Sequence, residues 1–179
     1  MVGSMGCYFN ASEISVACRT FAQAEKMAGQ YFRLNPREWK ANRYDVKTLA
    51  YLDQHEVSKE AFAHLCKYEF DKEHEPEGRG LHFYRICLQD DRILDAVERA
   101  NSFIRLSPLL LYIAAHELVH VIRFERGEVN FDVSEKQKSE EEKTVHRITR
   151  NLLKPMTDSD LNLVLDCFSN RYQIGDLIQ

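Results

Sequence analysis

The chain has 179 residues, of which 44% are hydrophobic and 29% charged, and its formal net charge is −4. This size fits one domain with an ordinary core, and the mild charge, with lysines and arginines scattered along the chain, argues against a nucleic-acid-binding surface. The longest apolar stretch, residues 109–115, is far shorter than the roughly 20 residues of a membrane span, so no membrane partner is expected.

The cysteines favour a reducing compartment. There are five of them, an odd number, widely spaced and without a CxxC pair. This pattern argues against a disulfide scaffold and against a thiolate zinc site. Residues 1–30 hold no apolar run of the length that a secretory signal needs. We therefore expect a cytoplasmic protein.

Hydrophobic periodicity, capping residues and turn residues predict a mostly helical first half with one strand. Residues 44–52 fit a helix or a strand equally well. In chain order the predicted elements are a helix over 12–28, a turn at 35–36, a helix over 59–66, a loop over 71–80, a strand over 81–88 and a helix over 93–101.

The second half is predicted to be helical. Ser107 and Pro108 form a typical helix start, and Gly127 suits the C-terminal end of a helix over 108–125. This helix is apolar on nearly every face before His116, so we expect it to be buried. The elements that follow are a short alternating strand over 129–133, a helix that begins at Ser134 or Ser139 and ends before residue 155, and a last helix over 158–168.

The sequence His116-Glu117-Leu118-Val119-His120 predicts a zinc site on the buried helix. Residues four apart share a helix face, so His116 and His120 can bind one ion through their imidazoles. Glu117 lies one residue on, where it can reach a water on that ion but is poorly placed as a ligand. This division, with two neutral ligands and a free carboxylate, is what metal-assisted hydrolysis needs.

A catalytic zinc site needs a third protein ligand, and the next helix offers two candidates. The sequence Ser139-Glu140-Glu141-Glu142 lies within that helix or at its start. Both Glu141 and Glu142 lie near the edges of its apolar face, so periodicity does not choose between them. We favour Glu142, because His146 stands four residues on, where it can hydrogen-bond the ligand or the water.

Glu142 has an alternative structural role. Ser139 and Glu142 have the spacing of a capping box, in which Glu142 would only cap its own helix. Ser134 and Gln137 have the same spacing and offer an earlier start, which would leave Glu142 free to bind the metal.

These residues resemble the gluzincin metallopeptidases, and among them the ImmA/IrrE-type peptidases are most similar. The resemblance covers residues 107–155 and consists of AHELVH over 115–120 and a downstream helix that keeps Glu142, the Leu152-Leu153 pair and Pro155 at matching spacing. Many gluzincins carry an aspartate four residues after the glutamate ligand, where this chain has His146.

The resemblance implies one zinc ion per chain, bound by His116, His120 and Glu142, with Glu117 as general base and acid on a zinc-bound water. It implies an α+β, mostly helical, zincin-like fold with a small sheet beside the active-site helix. An edge strand would pair with an extended protein or peptide substrate, and residues 81–88 are the candidate strand. We expect one domain over 1–179, with a helical segment over about 1–70, a catalytic core over about 78–155 and a C-terminal helix over about 157–170.

The donor that would stabilise the oxyanion beside the zinc stays open among three residues. They are His146, Tyr112 and His82, and we place His146 with Glu117 as a catalytic residue. His55, His64 and His74 have polar or helical surroundings and are interpreted as surface residues.

Two other classes of function fit the same residues. Glu117-x-x-His120 has the spacing of di-iron carboxylate proteins, but that class needs a second such pair and a helical bundle. A non-catalytic regulatory or protein-binding module with a retained zinc site is the other alternative, and the intact Glu117 favours catalysis over it.

Overall fold

The structure is a computed structural model, and it describes residues 7–41, 43–70, 81–156 and 158–168. Within these ranges it contains six α-helices and a three-stranded sheet, which confirms the predicted mostly helical α+β class. The helices are α1 (Ala11–Phe32), α2 (Pro36–Ala41), α3 (Asp90–Arg99), α4 (Leu106–Glu125), α5 (Glu135–Leu153) and α6 (Ser159–Cys167), and the strands are β1 (Tyr44–Lys47), β2 (Ala63–Glu69) and β3 (His82–Leu88). The predicted loop over 71–80 lies outside the described residues.

Helix α4 forms the centre of the core. It packs against α1, α3, α5, α6 and strand β2, and every residue from 109 to 122 is buried. A helix that is apolar on all faces is stable in water only when other elements surround it. By length and composition α4 is apolar enough to cross a membrane, yet 78% of its apolar window is buried inside the protein.

The two ends of α4 differ in how well the sequence predicted them. The helix begins at Leu106 rather than after Ser107, and its N-cap residue Arg105 makes no side-chain capping bond. Ser107 therefore lies in the first turn. At the other end Gly127 has a φ of +67°, and its amide donates to the Phe124 carbonyl at 3.0 Å, which is the left-handed ending that glycine favours.

The sheet has the strand order β1-β3-β2. Strand β1 runs parallel to β3, and β2 runs antiparallel to it. The predicted strand over 81–88 is confirmed, but its predicted edge position is wrong, because β3 is the central strand of the described sheet. Strand β2 is an edge strand of the described sheet, and it contacts α4.

Strand β2 occupies part of the segment that was predicted to be a helix over 59–66. It pairs with β3 from Ala63 to Glu69, so this prediction is wrong. The lysine, glutamate and alanines of the segment favour a helix in isolation, but the ladder with β3 overrides this weak preference. Two of the three strands thus lie within residues 1–70, which were expected to be helical.

The connection between α4 and α5 contains no strand. The alternation over 129–133 predicted one, but residues 127–134 form turns and irregular backbone. No strand of the described residues pairs with it, and alternation without a partner strand does not make a sheet. The other predicted helices correspond to α1, α3, α5 and α6, with ends that differ by up to four residues.

Candidate metal centre

The three polar residues of the predicted zinc motif lie on the buried part of helix α4. His116, Glu117 and His120 are buried, with exposed fractions of 3%, 9% and 7%. The Nε2 atoms of His116 and His120 lie 3.2 Å apart. The four-residue spacing has therefore brought both imidazoles to one point on the helix, as a shared metal ligand pair requires.

Helix α5 brings the third group, Glu142. Its Oε2 lies 3.2 Å from Nε2 of His116, and its Oε1 lies 3.0 Å from Nε2 of His120. The helix starts with the capping box of Ser134 and Gln137, so Glu142 lies in the third turn and does not cap the helix. Of the two starts that the sequence allowed, the earlier one leaves this carboxylate available.

The neighbouring Glu141 has a different partner. Its carboxylate accepts hydrogen bonds from Nε and Nη2 of Arg123 at 2.8 and 2.9 Å. Its closest approach to the histidines is 3.9 Å, from Oε1 to Nδ1 of His120. Glu141 thus lies on the far side of the His120 ring from Glu142.

The residues fit a zinc ion by two observations. Tetrahedral zinc with bonds of about 2.0–2.1 Å separates neighbouring ligand atoms by about 3.3 Å. The two Nε2 atoms are 3.2 Å apart, and each lies 3.0–3.2 Å from one of the two Glu142 oxygens, close to that value. In addition, the Nδ1 atoms of both histidines are buried without a hydrogen-bond partner in the described residues, so the contacts of both rings are made through Nε2, at one shared point.

His146 stands next to this group. Ligand atoms of His116, Glu142 and His146 all lie within 4.8 Å of one another, so these three residues also form a possible metal-binding set. The His146 Nε2 atom is 3.9 Å from the nearer Glu142 oxygen, which is longer than a tetrahedral ligand separation. His120 therefore fits the third position better, and His146 borders the site.

Tyr112 lies one helical turn before His116 and contacts Nδ1 of His146, the ring nitrogen away from Glu142. Its hydroxyl lies 2.5 Å from His146 Nδ1, and its ring stacks on Phe168 at a centroid distance of 4.3 Å. Burial and the positive charge of a protonated His116 lower the pKa of His146 to about 4.

Electrostatics couple the groups of the site. Burial alone would raise the pKa of Glu142, but hydrogen bonds with His116 and His120 hold it far below its usual range. Burial alone would lower the pKa of His116, but Glu142 raises it. Glu142 is thus a carboxylate at neutral pH, the form in which it can bind a cation.

The surroundings of Glu117, unlike those of Glu142, favour the neutral form of its carboxyl group. Burial raises the pKa of its carboxyl group, while His116 and His120 oppose the rise. His64 on β2 also acts electrostatically on Glu117, and its Nδ1 is buried without a hydrogen-bond partner in the described residues. No pattern in the sequence indicates this proximity, because the predicted helix over 59–66 places His64 at the surface.

Of the three candidate donors to an oxyanion, the structure favours the one on α5. His82, one of three candidates, is paired with Glu125 at the end of α4. Tyr112 is buried and its hydroxyl contacts His146. His146 is the candidate with a ring nitrogen on the site itself, 3.9 Å from Glu142.

Comparison of the chain with models of protein families, with curated proteins and with solved structures gave no match.

Among the described residues one carboxylate, Glu142, reaches the paired imidazoles, whereas a di-iron carboxylate site takes four glutamates.

Proposed function

We propose that this protein is a zinc-dependent metallopeptidase of the gluzincin type, similar to the ImmA/IrrE group. One observation carries the proposal: His116, His120 and Glu142 converge within 3.0–3.2 Å beside the buried carboxyl group of Glu117, which is the next residue in α4. A structural zinc site would have a fourth protein ligand and no use for such a carboxyl group.

In this proposal His116 and His120 hold the ion through Nε2, and Glu142 holds it through its carboxylate. Zinc, when bound, supplies a Lewis acid that polarises a carbonyl and lowers the pKa of water. Glu142 is half-exposed, with 49% of its side chain accessible, so the site opens to solvent on the side of α5. A substrate can reach it there.

Glu117 is the general base and acid. Its burial favours the neutral carboxyl group and raises its pKa, which brings a carboxylate closer to the proton affinity that a base needs at neutral pH. Glu117 takes a proton from water as the water oxygen bonds to the carbonyl carbon. It returns this proton to the amine as the bond between carbon and nitrogen breaks, so no co-reactant besides water is consumed.

Strand β2 is the proposed support for the substrate. It contacts α4 and pairs on one side with β3, which leaves its other edge without a strand in the described sheet. An extended peptide can add to such an edge through main-chain hydrogen bonds. This places the substrate along the element that carries His64, the residue that acts on Glu117.

The proposal is tested with a peptide library prepared by digesting a cell lysate, with new termini read by mass spectrometry. The zinc-loaded wild type is expected to create new termini, and Glu117→Gln to lose this cleavage by about 10²–10⁴-fold, the usual contribution of a general base. Glu98→Gln, an exposed position in α3, is the control and should cleave like the wild type.

Zinc content is measured in the same preparations. Glu117→Gln is expected to retain one zinc per chain, since Glu117 is not assigned as a ligand. Equal cleavage by Glu117→Gln and wild type would overturn the proposal, and so would a zinc-loaded wild type that creates no termini, as a non-catalytic module would behave.

A further inference from the structure

The buried Tyr112 contacts the part-buried His146, and the proposed hydrolytic steps leave this pair without a role. The Tyr112 side chain is 2% exposed, and its hydroxyl lies 2.5 Å from Nδ1 of His146. Its ring is nearly parallel to that of Phe168, at an interplanar angle of 2°. The phenol ring is therefore held from two directions, by the residue that follows α6 on its face and by His146 of α5 at its hydroxyl.

The position of one proton decides what His146 can do. A neutral imidazole carries its proton on one nitrogen, and the other nitrogen offers a lone pair. If the proton is on Nδ1, then Nε2 has a free lone pair and can bind a metal. If the proton is on Nε2, this nitrogen is a hydrogen-bond donor and cannot be a ligand.

The Tyr112 hydroxyl favours the second arrangement. A phenol keeps its proton at neutral pH, and a buried donor needs an acceptor. In the described residues the hydrogen-bond partner of this hydroxyl is Nδ1 of His146. When Nδ1 accepts this bond, the imidazole proton is on Nε2, the nitrogen on the side of Glu142 and His116.

We infer that Tyr112 fixes His146 as the tautomer with its proton on Nε2, so that His146 is a hydrogen-bond donor beside the metal and not a fourth ligand. The separation of 3.9 Å between Nε2 and the Glu142 carboxylate agrees with this role, because it exceeds a ligand separation. The donor would stabilise the negative charge that develops on the substrate carbonyl oxygen, and Tyr112 is then a positioning residue. The inference rests on the proposed function and specifies its unassigned donor.

The tautomer is measured without any activity. The metal-free protein, labelled with 15N in its histidine rings, is studied by long-range proton–nitrogen correlation spectra at mildly alkaline pH, and the His146 signals are assigned by their loss in His146→Gln. The wild type is expected to show the proton on Nε2 of His146. Tyr112→Phe removes the hydroxyl and should give a mixture of both tautomers.

A His146 signal with the proton on Nδ1 in the wild type would overturn the inference. So would a tautomer that is the same in wild type and Tyr112→Phe. Because these spectra do not depend on cleavage, they stand even if the protein is not a peptidase. Failure of the cleavage assay with the expected tautomer would instead overturn the proposed function.

The zinc-loaded protein supplies a second test. X-ray absorption of wild type is expected to show two imidazole ligands, and three would contradict the inference. His146→Ala should lower kcat by about 10²–10³-fold with KM changed little, the usual cost of losing one such donor. His146→Gln places an amide N–H near the position of Nε2, so it should recover part of kcat and keep zinc, whereas loss of zinc would identify His146 as a ligand.

Discussion

Glu141 and Glu142 are adjacent in the chain but serve different partners. The Glu142 carboxylate faces the Nε2 atoms of the two histidines, whereas Glu141 is paired with Arg123 and lies 3.9 Å from His120 Nδ1. At 3.9 Å Glu141 makes no hydrogen bond to the His120 ring, but its negative charge favours a cation bound at the other ring nitrogen. The pair therefore approaches the same imidazole from opposite sides.

Glu141→Gln is expected to weaken zinc binding without abolishing it. The loss of the negative charge beside His120 should lower zinc affinity by up to about 10-fold, the low end of the usual cost because no hydrogen bond to the ring is lost, while one zinc per chain still binds at saturation. The measurement is competition with a zinc chelator, with the exposed Glu140→Gln as the control from the same helix. Unchanged affinity would show that Glu141 has no influence, and complete loss would make it a ligand.

The sequence predicts the site residues on α4, but it does not decide between the candidate residues on α5. His116 and His120 come together because their spacing alone fixes their common face. The choice between Glu141 and Glu142 depends on how α5 is rotated against α4, and the contact between Tyr112 and His146 depends on the same packing. Neither is encoded in a local pattern.

The start of α5 determines what Glu142 is free to do. The Ser134 side chain accepts from the Gln137 amide, and the Gln137 side chain accepts from the Ser134 amide, so the helix is capped at Ser134, eight residues before Glu142. Ser139 lies inside the helix and has no capping role.

Ser134→Ala is expected to lower the free energy of unfolding by about 1 kcal/mol, the usual value for an N-cap residue. Ser139→Ala should change it by less than about 0.5 kcal/mol, as for an ordinary surface position. Both values come from chemical denaturation. A larger loss for Ser139→Ala than for Ser134→Ala would contradict the helix start described here.

Glu56 links the short helical turn Gln54–Glu56 to the sheet by hydrogen bonds. Its side chain is fully buried, bonds the hydroxyl of Tyr68 on β2 and accepts from Nη1 of Arg85 on β3 at 3.0 Å. Burial alone would raise the pKa of Glu56, but hydrogen bonds from Tyr68, the Asp53 amide and Arg85 lower it to about 2. The folded protein thus favours the carboxylate.

Glu56→Gln is expected to cost about 2 kcal/mol of stability at neutral pH, as for a hydrogen bond to a charged group. Because folding lowers the pKa of Glu56, its contribution to stability decreases as pH falls. The contribution of Glu56 is complete above its unfolded pKa of about 4.5 and is lost as pH falls toward about 2. The difference between variant and wild type should therefore narrow from about pH 5 to about pH 3, as followed by urea denaturation. Glu60→Gln, at an exposed position nearby, should show no such trend.

Helices are predicted from this sequence better than strands. The periodicity of α1, α4, α5 and α6 is local, so their positions follow from the residues themselves. Strand β2 exists because of its ladder with β3, and its residues alone favour a helix. The alternation over 129–133 does not form a strand for the opposite reason, since no strand pairs with it in the part of the chain that the structure describes.

The proposed zinc ligands come from two helices, so zinc binding is expected to couple to the stability of the whole molecule. His116 and His120 lie on α4 at the centre of the core, and Glu142 lies on α5, which packs against it. An ion that binds the folded chain ties these helices together. In the unfolded chain the three side chains are no longer held at one point.

Zinc is expected to raise the free energy of unfolding of the wild type by about 2.7 kcal/mol when free zinc is about 100 times its dissociation constant. Removal of zinc with a chelator should reverse the gain. The measurement is thermal unfolding in the two conditions, with His120→Gln as the comparison, which should gain little. Equal gains in His120→Gln and wild type would show that zinc binds elsewhere.

The measurement that tests the central claim most directly is the zinc content of purified Glu142→Gln beside Glu140→Gln and wild type. The geometry predicts one zinc per chain in wild type and in Glu140→Gln, and loss of stoichiometric zinc in Glu142→Gln, because the carboxylate at 3.0–3.2 Å from both imidazoles is removed. A full zinc complement in Glu142→Gln, or a wild type that binds none, would contradict it.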